Sequence, residues 1–168
     1  MRECRKGMIN HGKYGMILKG VDIPMKKLLF ICHGNICRSP MAEFVMKDLV
    51  KKAGREKEFH IESAATSSEE IGNGVHPGTK RKLHEHGISC AGKTARRIRS
   101  CDYDDFDYLI CMDEYNVKNA RRFFGGDDEG KISLLLDGRP IDDPWYTGNF
   151  EDTWDDVLSG CTALLKKL

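Results

Sequence analysis

No charge of one sign dominates this chain. Its 27 Lys and Arg stand against 26 Asp and Glu, a net charge of +1, so no general attraction to nucleic acid or to an anionic membrane surface is expected. Long apolar runs are missing too, and no stretch approaches the ~20 apolar residues a bilayer-spanning helix needs. The basic start (Arg2, Arg5, Lys6) is followed by no apolar h-region, so it does not read as a secretory signal. The seven cysteines are an odd number, and neither they nor the histidines fall into a zinc-binding spacing. Disulfide scaffolding is therefore not expected, and the thiols point to a reducing cytoplasm. Internal repeats and low-complexity segments are absent.

What remains is a chain of 168 residues with 40% apolar and 32% charged side chains, the profile of one globular domain with room for a sound core. Residues 1–24 read as an N-terminal extension, disordered or an over-extended start, because Met25-Lys26-Lys27 makes a natural beginning just before the first strand. Residues 25–168 form the domain. Strands are expected at Lys27–Ile31, Phe59–Ser63, Tyr108–Met112 and Ile132–Leu136. Helices should start near Pro40 and end at Gly54, run from Pro77 to His86, run from an Asp113 cap to Phe124, and cover Phe150–Leu168. Ala95–Asp105 and Asp137–Gly148 read as loops, the first with a short turn or helix. Strands separated by helices imply an α/β fold with a parallel sheet.

The stretch Cys32-His33-Gly34-Asn35-Ile36-Cys37-Arg38-Ser39-Pro40 carries the chemistry. It sits between a buried strand and a helix start, at the strand's C-terminal end, where open α/β sheets bind ligands. Amides of a short loop entering a helix favour an anion. Gly34 permits close backbone approach, Asn35 tolerates the left-handed conformation, and Arg38 offers a fork that fits two oxygens of a phosphate. In that field Cys32 is expected to be a thiolate, and Ser39 can donate a hydrogen bond to it. The implied guest is inorganic phosphate or another oxyanion.

These residues resemble the low-molecular-weight protein tyrosine phosphatase family, whose pattern C-x-G-N-I-C-R-S-P stands here unbroken. The likeness continues through Met41-Ala42-Glu43, Ser63-Ala64, His86-Gly87-Ile88, Phe106–Asp113 and Asp143-Pro144-Trp145-Tyr146. It implies a three-layer sandwich with a four-stranded parallel sheet of order 2-1-3-4. It also implies hydrolysis of protein phosphotyrosine and small aryl phosphates through a phosphocysteine. In that scheme Cys32 is the nucleophile, Arg38 and the loop amides hold phosphate, and Asp143 is the general acid and base, with no metal or cofactor. His33, Gly34, Asn35, Ile36, Cys37 and Ser39 complete the phosphate loop. The resemblance further implies that His86 joins Asn35 in supporting the loop, that Cys37 can form a protective disulfide with Cys32, and that Trp145 and Tyr146 make a slot for a phenolic ring. Trp145 replaces the family's usual tyrosine, and no Trp stands near Glu69, which points to the bacterial type. Expected partners are phosphotyrosine proteins, not nucleic acid or membrane, with the chain a monomer or weak dimer.

Three other readings compete. A protein arginine phosphatase resembles this loop but has Thr where Ile36 stands, and Ile should crowd a phosphoguanidinium. A thiol-linked arsenate reductase would relay a disulfide through Cys90 and Cys101. A catalytically dead phosphoprotein-binding module would have a broken Cys32, Arg38 and Asp143 set, and here all three are present.

Overall fold

The computed structural model describes residues 16–18 and 21–168, with side chains from Pro24 onward. Residues 1–15 and 19–20, which hold most of the expected extension and Cys4, lie outside the described residues. Strand β1 (Met16–Leu18) pairs antiparallel with β2 (Val21–Ile23), apart from the main sheet.

The main sheet has four parallel strands. Strand β3 (Lys26–Cys32) lies between β4 (Phe59–Ala65) and β5 (Tyr108–Cys111), and β6 (Ile132–Leu134) adds to β5. Counted along the four, the order is 2-1-3-4, as the family resemblance implied. A parallel strand buried on both faces carries apolar residues at consecutive positions, and Leu28 to Ile31 are all fully buried. Alternation then splits them between two cores. Leu28 and Phe30 face one core, with Met41, Val45 and Met46 of α1 (Arg38–Lys52) and Trp154, Val157 and Cys161 of α6 (Phe150–Lys167). Leu29 and Ile31 face the other, with Leu109, Cys111 and Ile132 of the sheet and Val117 and Ala120 of α4 (Glu114–Phe124). Helix α2 (Pro77–Glu85) joins the first layer through Leu83, and the one-turn α3 (Asp102–Asp105) precedes Phe106, which packs in the second.

The expected loop over Asp137–Gly148 contains one turn of helix, α5 (Pro144–Thr147). The cause is local. The Asp143 carboxylate accepts the Trp145 N–H at 3.1 Å and Pro144 fills the first helical position, where its fixed φ suits a helix start. The same cap aims the Asp143 side chain. The loop is tied to the sheet by the Ile141 N–H, which donates to the Met112 carbonyl at 2.8 Å. Cys32, the last residue of β3, thereby gathers with Asp113 and Asp143 at the C-terminal ends of the strands.

Candidate active site

The loop from Cys32 to Arg38 closes into a cradle because its carbonyls are bonded outward. Cys32 O accepts from Thr66 N (2.9 Å), His33 O from Ser67 N (3.0 Å), and Ile36 O from His76 N (2.8 Å). Cys37 O accepts from Met41 N (3.2 Å) and Thr79 Oγ1 (3.3 Å). In a trans peptide the C=O and the following N–H point in opposite directions, so the amides of His33, Gly34, Cys37 and Arg38 turn the other way. Asn35 makes the reversal at φ +59°, the one positive φ of a non-glycine residue among those described.

Asn35 is buried and its side chain is fully engaged. Nδ2 donates to Ser39 Oγ (2.9 Å) and Ser63 Oγ (2.8 Å), and Oδ1 accepts from Arg96 N (3.1 Å). Ser39 Oγ lies 2.9 Å from Cys32 Sγ, and the Asn35 N–H donates to the same sulfur at 3.3 Å. Because Ser39 Oγ already accepts from Asn35, its own proton is free to point at the sulfur. Ser63 Oγ in turn donates to Glu43 Oε2 at 2.5 Å, and the buried Glu43 carboxylate is held by Lys93 (2.8 Å) and Lys47 (2.5 Å). Lys93 also donates to the Ser63 carbonyl at 3.1 Å. A continuous buried chain thus runs from the Cys32 sulfur to an ion-paired carboxylate.

Arg38 is 3% exposed and held by two carboxylates. Nη1 donates to Asp113 Oδ2 (2.6 Å) and to the Ile141 carbonyl (3.0 Å), and Nη2 to Asp143 Oδ2 (2.6 Å). Burial works against its charge, but Cys32, Asp143 and Asp113 outweigh burial and hold its pKa above the usual arginine value. Its Nε–H is buried and meets no acceptor among the described residues, a donor in want of an oxygen. Cys32, His33, Gly34, Ile36, Cys37, Arg38 and Asp143 line one cavity of about 110 Å³, with Glu69, Glu70, Trp145 and Tyr146. Burial, then Cys32 and Asp143, push the Cys37 thiol up to about 12. Cys101, Asp102 and Asp105 bring three ligand-type atoms together, but Asp102 is bonded by Arg96 and Arg99, and none of the three lines this cavity.

His86 lies elsewhere. Helix α2 ends at Glu85, and the His86 ring turns onto α6, stacking on Trp154 at 3.8 Å between centroids and 7° between planes. The loop support expected of it comes instead from Ser63, the Arg96 amide, Glu43 and Lys93. The roles of Lys93 and Glu43 were not read from the sequence. Glu43 carried a signal, because it falls among the apolar positions of α1, where an unpaired carboxylate is rare. Lys93, in a Gly- and Ala-rich connection, carried none.

A thiol and a buried guanidinium in one anion-sized cradle, faced by a carboxylate at the edge of a parallel sheet, define a cysteine-dependent phosphatase. The family model described as low molecular weight phosphotyrosine protein phosphatase matches residues 27–168, and the chain belongs to that family. It is 41% identical over 150 residues to low molecular weight protein-tyrosine-phosphatase YfkJ of Bacillus subtilis, covering 86% of this chain and 96% of that one. The crystal structure of YfkJ superposes with a TM-score of 0.82, covering 85% of this chain and 94% of that one. The low molecular weight protein tyrosine phosphatase SP-PTP of Streptococcus pyogenes is 44% identical, with a TM-score of 0.79, covering 86% of this chain and 93% of that one. The chicken low molecular weight phosphotyrosine protein phosphatase is 39% identical over 153 residues, 85% of this chain and 96% of that one.

Proposed function

We propose that the protein hydrolyses phosphotyrosine in proteins, and small aryl phosphates, through a phosphocysteine on Cys32. The observation that carries the reading is the Nε–H of Arg38, which meets no acceptor among the described residues and is buried in the wall of the cavity that Cys32 also lines. In the first step the Cys32 thiolate attacks phosphorus in line and the bond to the phenolic oxygen breaks. Arg38 and the inward amides hold the equatorial oxygens, where charge must be stabilised. Asp143 gives its proton to the leaving oxygen. In the second step the Asp143 carboxylate takes a proton from water, the water oxygen attacks phosphorus, and the S–P bond breaks to release phosphate and restore the thiolate. For this, Nη2 of Arg38 exchanges the Asp143 carboxylate for a phosphate oxygen, which frees the acid. Asp113 holds Nη1 throughout.

Trp145 and Tyr146, 56% and 83% exposed, stand at the mouth as aromatic walls for the phenyl ring. Cys37 lines the same cavity as Cys32, which supports a protective disulfide between them under oxidation. Ile36 also lines the cavity, where its bulk disfavours a phosphoguanidinium. Cys90 lies in a separate cavity, and neither it nor Cys101 lines that of Cys32, which lends nothing to a disulfide relay. All the reacting groups come from one chain, so a monomer suffices. The buried thiols of Cys32, Cys37, Cys90, Cys111 and Cys161 favour a reducing cytoplasm.

The test is turnover of p-nitrophenyl phosphate, a phosphotyrosine peptide, phosphoarginine and arsenate side by side. Cys32→Ser should abolish turnover while keeping phosphate binding. Preferred hydrolysis of phosphoarginine, thiol-dependent reduction of arsenate, or full activity of the Cys32→Ser protein would each overturn the reading.

A further inference from the structure

The mouth of the Cys32 cavity carries a charge pattern that phosphate binding alone does not explain. Glu69 and Glu70 both line it. Glu69 sits beside His33, with Oε2 3.0 Å from His33 Nε2. Glu70 lies along the loop itself, its Cγ 3.2 Å from where a Cβ on Gly34 would stand, and its Oε2 accepts from Asn73 Nδ2 at 2.7 Å. Among the described residues neither carboxylate has a Lys or Arg partner, and the Glu69 side chain is 71% exposed. Among the described residues, the one Lys or Arg lining this cavity is Arg38, buried and already engaged by Asp113 and Asp143. Lys80 and Arg81 of α2 line a separate cavity.

Two carboxylates with no Lys or Arg partner among the described residues, Glu69 meeting the His33 ring and Glu70 the Asn73 amide, stand beside a site for a dianion and raise the free energy of the bound phosphate, because like charges are brought together. The sign reverses for a substrate that brings its own cations. We propose that the site selects phosphotyrosine flanked by Lys or Arg side chains, with Glu69 and Glu70 as the specificity-determining groups. The inference rests on the phosphotyrosine hydrolysis proposed above and adds the class of peptide. Seated with its phosphate on the Cys32 loop, the peptide passes its neighbouring side chains over the His33–Gly34 edge, where both carboxylates stand. An exposed pair of opposite charges changes affinity by about 1.5- to 5-fold. Two such pairs, set against repulsion of an acidic peptide, give roughly 10-fold between basic and acidic flanks.

The experiment compares kcat/KM of the full chain for two phosphotyrosine peptides that differ only in Lys or Glu on either side, with p-nitrophenyl phosphate as a third substrate. The basic peptide should be preferred roughly 10-fold at low salt. The preference should shrink several-fold in 0.5 M NaCl, where the Debye length is about 4 Å, and also in the Glu69→Gln/Glu70→Gln protein. A preference at or below one in the wild-type protein, or one that neither salt nor the substitutions change, overturns the inference while leaving the phosphatase reading intact. Should the double variant fail to fold, the salt dependence of the wild-type preference decides. If the wild-type protein leaves p-nitrophenyl phosphate untouched as well, the phosphatase reading fails, and the inference with it.

Discussion

Replacing Asp113 separates two tasks performed by one side chain. Its Oδ1 accepts the Asn116 N–H at 2.7 Å and caps α4, while Oδ2 receives Arg38 Nη1 at 2.6 Å. Asn caps a helix about as well as Asp, so Asp113→Asn keeps the cap and removes the charge facing Arg38. Asp113→Ala removes both. Stripping the partner from a fully buried ion pair costs about 3–5 kcal/mol. That limit is not reached here, because Asp143 and the Ile141 carbonyl still hold Arg38. A single charged hydrogen bond, about 1.5–3 kcal/mol, is the relevant scale for Asp113→Asn, and losing the cap adds about 1 kcal/mol for Asp113→Ala. Urea unfolding measures both, and melting temperatures should fall by roughly 2–4 °C per kcal/mol. The kinetic effect has a second source. An Arg38 released by Asp113 leans more heavily on Asp143 and holds back the acid. The kcat/KM of Asp113→Asn for p-nitrophenyl phosphate should therefore fall roughly 10- to 100-fold. An Asp113→Asn protein with wild-type stability and activity would refute the clamp, and an Asp113→Ala protein no less stable than Asp113→Asn would refute the cap.

Three more measurements bear on the site. Asp143→Ala should slow hydrolysis of a phosphotyrosine peptide far more than of p-nitrophenyl phosphate, whose leaving group needs less help from an acid; equal losses would remove Asp143 from the proton transfer. Gly78→Ala would place a Cβ within 2.4 Å of the Phe150 ring and should cost about 1–3 kcal/mol. Phe150 stacks on His76 and His76 meets the edge of Trp145, so KM for aryl phosphates should rise with it, and an unchanged melting temperature would contradict the packing. The Cys37 thiol, pushed up to about 12 by burial and then by Cys32 and Asp143, should resist iodoacetamide at pH 8 in the native protein but not in urea. Its contribution to stability, fully present below the unfolded value of 9.0, is lost as pH rises through the window to about 12; mass spectrometry showing prompt native labelling of Cys37 would refute the burial.

The phosphate loop was legible because its parts are consecutive: a buried strand, a Gly-Asn turn and a helix start fall within residues 28–40. Helix α2 was bracketed by Pro77 and Gly87 for the same reason. What holds Arg38 was not legible, because Asp113 and Asp143 lie 75 and 105 positions away in sequence and meet only once β5 and the loop after β6 are side by side. Asp113 was visible as a cap, but not as the arginine's partner. His86 was misplaced by its neighbours, since a His before Gly-Ile gives no sign that Trp154, on another helix, will cover its ring.

The turn at Asn35 settles when the cradle takes its shape. Every contact that winds it, from Ser39, Ser63, the Arg96 amide and the Cys32 sulfur, is supplied by the chain itself. The moulding is therefore done once in the life of each molecule, as it folds, and not again with each guest it receives.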